Sequence, residues 1–200
     1  MQLNNTMKNI PTERHPLQPF LPEGARLLML GSFPPERKRW SMEFFYPNWG
    51  NDMWRIWGLI FFGDKQHFEI TAEKRFDGER IATFCAERGV ALYDTACEVR
   101  RLAGNASDKF LEVVTPTDLH SLLRRLPHCR AIVTTGEKAT DTLIEQFGCA
   151  KPRVGEYTGI EFEGRTLRLY RMPSSSRAYP LKLERKAEAY ERMLREIGMI

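Results

Sequence analysis

The sequence predicts a three-layer α/β/α domain built on a mainly parallel, four-stranded sheet. Three observations carry that expectation. Short apolar runs recur at residues 26–30, 90–93 and 131–134, with an alternating run at 166–171, each too short to be a helix. Stretches with helical spacing separate them, and strands alternating with helices form parallel sheets. The runs open into loops rich in Gly, Ser, Thr and Pro, and right-handed crossovers gather such loops along one sheet edge. A length of 200 residues suits a domain of ordinary size.

Residues 1–23 hold prolines at 11, 16, 19 and 22 and show little periodicity. They are expected to form an extended arm packed on a domain of residues 24–200. The first strand, 26–30, ends in Gly31-Ser32-Phe33-Pro34-Pro35, where two prolines lacking N–H groups cannot extend a central ladder. A helix starts at residue 52 and runs to about 60, with Asn51 or Asp52 as its N-cap. Residues 72–88 read as an amphipathic helix burying Phe76, Ile81, Phe84 and Cys85 and ended by Gly89. The second strand is 90–93. Residues 97–115 read as irregular, with Gly104-Asn105-Ala106-Ser107 as a turn. Thr117 or Asp118 caps a helix to about residue 126. The third strand, 131–134, leads to a helix over 137–147 ended by Gly148. Residues 154–162 read as a loop or short strand. The fourth strand alternates in polarity, as an edge or half-exposed strand does. A final helix covers 181–197.

A hydrophobic content of 42% and a charged content of 28% are those of a soluble globular protein. No apolar run approaches the roughly 20 residues that span a bilayer, and the first residues lack a secretion pattern. A cytoplasmic monomer without membrane contact is expected. Cys85, Cys97, Cys129 and Cys149 are scattered, with no C-x-x-C pair, and read as buried thiols rather than disulfides or metal ligands. The histidines at 15, 67, 120 and 128 have no metal spacing. Neither a metal nor a cofactor is expected. A formal charge of +4 permits an anionic partner, and Arg37-Lys38-Arg39, Arg100-Arg101 and Arg124-Arg125 concentrate it locally.

Open α/β sheets bind ligands at the carboxyl ends of their strands. Past the first strand lie Arg37, Lys38 and Arg39, then Phe44-Phe45-Tyr46-Pro47-Asn48-Trp49-Gly50-Asn51-Asp52-Met53-Trp54. Cations suit phosphates, rings stack on bases, and an amide orients water or reads a base edge.

The pairing of Gly31-Ser32-Phe33-Pro34 with Asn51-Asp52-Met53-Trp54 resembles the uracil-DNA glycosylase superfamily. It is most similar to the hypoxanthine-DNA glycosylase and mismatch-specific branch, where Gly-Ser-Met-Pro-Gly precedes a tyrosine-rich stretch and Asn-Arg-Phe-Trp. Gly89-Val90-Ala91-Leu92-Tyr93-Asp94, Ala131-Ile132-Val133-Thr134-Thr135-Gly136 and Met172-Pro173-Ser174-Ser175-Ser176 resemble later motifs in the same order. The resemblance covers residues 24–198. It implies a monofunctional DNA glycosylase that excises uracil or hypoxanthine in base excision repair, with DNA as partner and no cofactor.

The same resemblance implies roles for particular residues. Asn51 would hold the attacking water, although Asn at a helix start is by itself an ordinary cap. Asp52 stands where the family has Arg, and reads either as a base near the sugar or as an acid favoured by the helix dipole. Ser32, Phe33, Phe45 and Tyr46 would receive an extruded base. Tyr93 and Asp94 would read it, or Asp94 would cap a turn. Ser174, Ser175 and Ser176 would grip phosphates, with Arg177 or Tyr179 as a wedge in the base stack. A non-catalytic binder of nucleic acid or nucleotide is the alternative. A small-molecule enzyme is a weaker one, because the Gly-rich phosphate loop is absent.

Overall fold

The computed structural model describes residues 10–103 and 110–200; the turn expected at 104–107 lies outside them. The arm contributes β1 (Glu13–Arg14), and the first apolar run becomes β2 (Leu27–Gly31), with Leu27, Leu28, Met29 and Leu30 wholly buried. Helix α1 (Met53–Phe62) follows and is closed by Gly63 in the left-handed conformation, φ 66°. A small ribbon of β3 (Glu69–Ile70) and β4 (Arg75–Phe76) precedes α2 (Gly78–Arg88). The helix expected from residue 72 starts only at Gly78, because Asp77 caps it and accepts the Arg80 N–H at 3.0 Å. The order then runs through β5 (Val90–Asp94), β6 (Ala96–Arg101), β7 (Leu111–Pro116), α3 (Leu119–Arg124), β8 (Ala131–Thr135) and α4 (Glu137–Phe147). It ends with β9 (Tyr157–Phe162), β10 (Arg165–Met172) and α5 (Leu183–Glu196).

The main sheet has the order β5-β2-β8-β10-β9. The four predicted strands are its four parallel members, β2, β5, β8 and β10. Helices flank the sheet, giving the three-layer α/β/α class. β2, β5 and β8 are buried along their whole length, and a strand covered on both faces reads as a continuous apolar run.

One expectation is narrowed and one needs correction. Of the two readings of the fourth strand, edge or half-exposed, the second holds, because β9 pairs antiparallel on the outer side of β10. Its alternation arises from one exposed face, which carries Thr166 and Arg168. The β9–β10 hairpin turns on Glu163 (φ 48°) and Gly164 (φ 78°), the doubly positive pair that two-residue hairpins require. The segment read as irregular holds β6 and β7, which join β1 in a second, antiparallel sheet of order β1-β6-β7. Register shifts between Ala96, Glu98 and Val99 break the period-two pattern that would have revealed β6. Ala96, Val99 and Leu111 bury a small separate core there, together with Phe33.

Register sets where the parallel strands stop. Leu30 lies between Tyr93 and Thr134, Gly31 faces Asp94, and Thr135 faces Met172. All four carboxyl ends therefore finish level, and the loops behind them share one edge. Among the described residues no helix is long and apolar enough to cross a membrane.

Candidate active site

A cavity of about 150 Å³ opens at that edge. Gly31, Ser32, Phe33, Phe45, Tyr46, Asn51, Asp94, Thr135, Ser174, Ser175 and Ser176 line it, so residues from four strand ends and two loops meet at one point.

Gly31 makes room for the floor. A Cβ added there would lie 2.3 Å from Asp94 Oδ1, so the carboxylate occupies space that any other side chain would fill. Gly31→Ala is expected to force Asp94 to turn or the strands to part. Overpacking of this kind costs roughly 1–3 kcal/mol, and each kcal/mol lowers the melting temperature by roughly 2–4 °C at this chain length. An unaltered thermal melt would show that the carboxylate yields freely.

The loop after β2 is held by Arg101, whose Nη2 donates to the Pro34 carbonyl at 2.6 Å while Nε reaches Glu13 at 3.0 Å. Its guanidinium also lies 5.6 Å over the Phe33 ring. Phe45 is buried, and its carbonyl accepts the Trp54 indole N–H at 3.0 Å. Tyr46 adopts φ 53°, which aims the next residues toward α1, and its hydroxyl hydrogen-bonds Thr135 Oγ1 at 3.1 Å. Burial, and secondarily the charge of Asp94, push the Tyr46 phenol far above the usual tyrosine range. It stays protonated as a neutral wall.

Asn51 Oδ1 accepts the Met53 N–H at 2.8 Å, a local turn one residue ahead of Asp52, the N-cap of α1, and Asn51 also lines the cavity. Its backbone bridges Ser176, and the Asp52 N–H donates to the Ser175 carbonyl at 2.8 Å. These contacts zip the Asn51 loop to the serine loop. Within the serine loop, Ser174 Oγ accepts the Ser176 N–H and Ser176 Oγ accepts the Ala178 N–H, both at 3.2 Å. These two hydroxyls shape their own turn.

Asp52 lies outside the cavity lining, which corrects its reading as a base near the sugar. It is 7% exposed. Its Oδ2 accepts from Lys186 Nζ at 3.2 Å and its Oδ1 from Arg177 Nε at 3.1 Å. Lys186, 1% exposed, also donates to the Ser176 carbonyl at 2.8 Å. Nearby Arg55 pairs with Glu69, and burial lowers its guanidinium below the usual arginine range. The Asp52 carboxylate thus anchors α5 and the serine loop to the start of α1.

The remaining predicted residues are more scattered. Tyr93 does not line the cavity: strand alternation turns it away from the side that Asp94 takes, and its ring packs 6.3 Å from Phe45 behind the wall. Arg37, Lys38 and Arg39 form an exposed single turn outside the cavity. Arg37 pairs with Glu43 and Lys38 with Glu36. Arg177 is exposed beside Asp52, and Tyr179 lines a shallow groove with Lys138 and Ser174, next to the cavity. Cys85 and Cys129 are buried, and burial pushes the Cys129 thiol up to about 11.

Sequence reasoning missed Thr135 and, above all, His15. The arm brings His15 Nε2 to 2.8 Å from Asp94 Oδ2, with the side chain 2% exposed. No local signal marks it, since the two residues are 79 positions apart. Among the described residues no group of three or more His, Cys, Asp or Glu is placed to hold a metal ion.

No family model matches the chain, and no curated protein does. Among solved structures, it is similar to the solution structure of a "putative Uracil DNA glycosylase" from Methanosarcina acetivorans. The TM-score is 0.63 at 21% identity, over 94% of this chain and 99% of the other. The likeness is one of fold: the same mainly parallel sheet with flanking helices.

Proposed function

We propose that the protein is a monofunctional DNA glycosylase that hydrolyses the N-glycosidic bond of a deaminated base. One observation supports this most: Asn51 lines the same small cavity as Phe33 and Asp94. Such an enzyme needs a slot that replaces lost base stacking, a group that reads the base edge, and a held water at the sugar. Phe33 and Phe45 supply apolar ring surface, Asp94 a hydrogen-bond acceptor, and Asn51 an amide. A side-chain carbonyl oxygen has two lone pairs; Met53 N–H uses one, and the other is free for water. No enzyme nucleophile is required, since the departing base and the DNA phosphates balance the charge of an oxocarbenium-like sugar.

A cavity of about 150 Å³ accepts one six-membered ring such as benzene. Uracil is the first base to test. The test is strand nicking of duplexes carrying uracil, hypoxanthine or xanthine after alkaline treatment. A folded wild-type protein inactive on every one of them, yet bound to duplex, supports the non-catalytic binder instead.

DNA is the proposed partner, and Arg37, Lys38 and Arg39 are proposed to meet its phosphates. Their present partners, Glu43 and Glu36, form exposed pairs worth little, so phosphates can replace them. Replacing all three with Ala should flatten the dependence of log K on log salt by up to about 0.9 for each phosphate no longer neutralised. An identical slope in a binding titration removes this turn from the interface.

A further inference from the structure

We propose that His15, carried on the N-terminal arm, is a positioning residue that sets base selectivity: it occupies Asp94 Oδ2 and leaves Asp94 Oδ1 to read an N–H donor of the base. This rests on the reading of the cavity as a base site.

The arm is fastened on both sides of His15. β1 pairs with β6, the His15 N–H continues that ladder to the Cys97 carbonyl at 2.8 Å, and Phe20 exchanges two backbone hydrogen bonds with Leu92. The ring is packed edge-on to Phe33 at 5.3 Å and against Tyr93 at 4.6 Å. Its Nδ1 lies 3.1 Å from the Leu17 N–H and 2.9 Å from the Leu17 carbonyl. The neutral ring can therefore accept at Nδ1 from Leu17, and the cationic ring can donate there to the Leu17 carbonyl. Both forms leave Nε2–H pointing at Asp94. The imidazole thus serves Asp94 whichever charge it carries.

Asp94 Oδ1 is the oxygen left over. It stands over Gly31, where only a glycine leaves space, and no donor among the described residues hydrogen-bonds to it. A carboxylate oxygen accepts hydrogen bonds and donates none. One free acceptor beside ring surface selects a planar base edge bearing a lactam N–H and rejects one whose nitrogen is alkylated. Without His15 the carboxylate has no second anchor and can rotate within the cavity, so this discrimination weakens.

The test is titration of the full chain with 1-methyluracil, whose only ring donor is N3–H, and with 1,3-dimethyluracil, which has none, followed by NMR, alongside excision from a uracil duplex. Wild-type protein is expected to prefer 1-methyluracil by about tenfold or more, because a site built on a polar contact rejects the analogue lacking it. His15→Gln, whose amide reaches the Nε2 position, should keep that preference. His15→Phe fills the aromatic pocket without a donor, and His15→Asn can keep the Leu17 contact without reaching Asp94. Both should bring the two ligands within about twofold. Nitrogen-15 spectra of the imidazole should show a protonated Nε2, an outcome that does not depend on any variant folding. Undiminished selectivity in the folded Phe or Asn variant, an unprotonated Nε2, or no binding of either ligand by wild type overturns the proposal. Wild-type protein that discriminates through His15 yet cleaves no duplex sustains it and sinks the glycosylase reading. Excision with selectivity indifferent to His15 does the reverse.

Discussion

Alanine in place of Asn51 is expected to slow base excision by roughly 10²–10³, the usual loss for one oriented polar group at a reacting centre, with duplex binding nearly intact. The expectation follows from what Asn51 does in the fold and what it has left over. One lone pair of Oδ1 takes the Met53 N–H at 2.8 Å and fixes the turn that leads into α1. The second faces no backbone donor of the helix and can hold a water within the cavity that Asn51 lines. The turn bond also contributes, so the same variant should lose about 1 kcal/mol of stability, the usual worth of one hydrogen bond. Asn51→Asp keeps an oxygen for the turn and for the water, and should retain both stability and part of the activity. Single-turnover excision, with the melting temperature of each variant measured alongside, separates the two effects. A lowered melt with unchanged excision per folded molecule leaves Asn51 as a turn residue alone.

The largest stability effect is expected at Lys186. Lys186→Met leaves the Asp52 carboxylate, 7% exposed, without the cation at its Oδ2. Breaking a buried pair by removing one partner typically costs about 3–5 kcal/mol. The lower end applies here, because Arg177 remains at 3.1 Å and Arg55 at 3.7 Å. The Ser176 carbonyl loses its 2.8 Å donor as well, so the serine loop should loosen and base excision fall with it. Adding Asp52→Asn removes the stranded charge, and the double variant should recover part of the loss, as coupled sites do. Urea unfolding of Lys186→Met, Asp52→Asn and the double variant measures this. Wild-type stability in Lys186→Met would mean that the two arginines alone satisfy Asp52.

Lys186 shows how a sequence can hold a signal that composition hides. It shares the helix face of Tyr190, Met193 and Leu194, all buried, at the spacing of an apolar stripe. A lone cation on such a face needs an anion within the core, but which anion is a matter of tertiary structure. Asp52, 134 residues away, supplies it. Similarly, the Ser loop and Asn51 were legible as separate loop motifs, whereas their backbone bridge was not.

Sequence alone determined the class of the fold, because β2, β5 and β8 are apolar runs long enough only for strands and are covered on both faces. It also determined that the loops behind them share an edge, since right-handed crossovers leave no other arrangement. Local chemistry marked Gly31, Asn51 and Asp94 as residues of those loops. The tertiary structure decided the rest. It placed Tyr93 behind the wall and Asp94 in it, through the strand register that pairs Gly31 with Asp94. It paired Asp52 with Lys186, and it folded the arm back so that His15 meets Asp94 across 79 residues. The physical reason is range. Strand and helix periods are written within a few neighbouring residues, whereas a buried charge or imidazole is satisfied by whichever distant group the packed layers bring within about 3 Å.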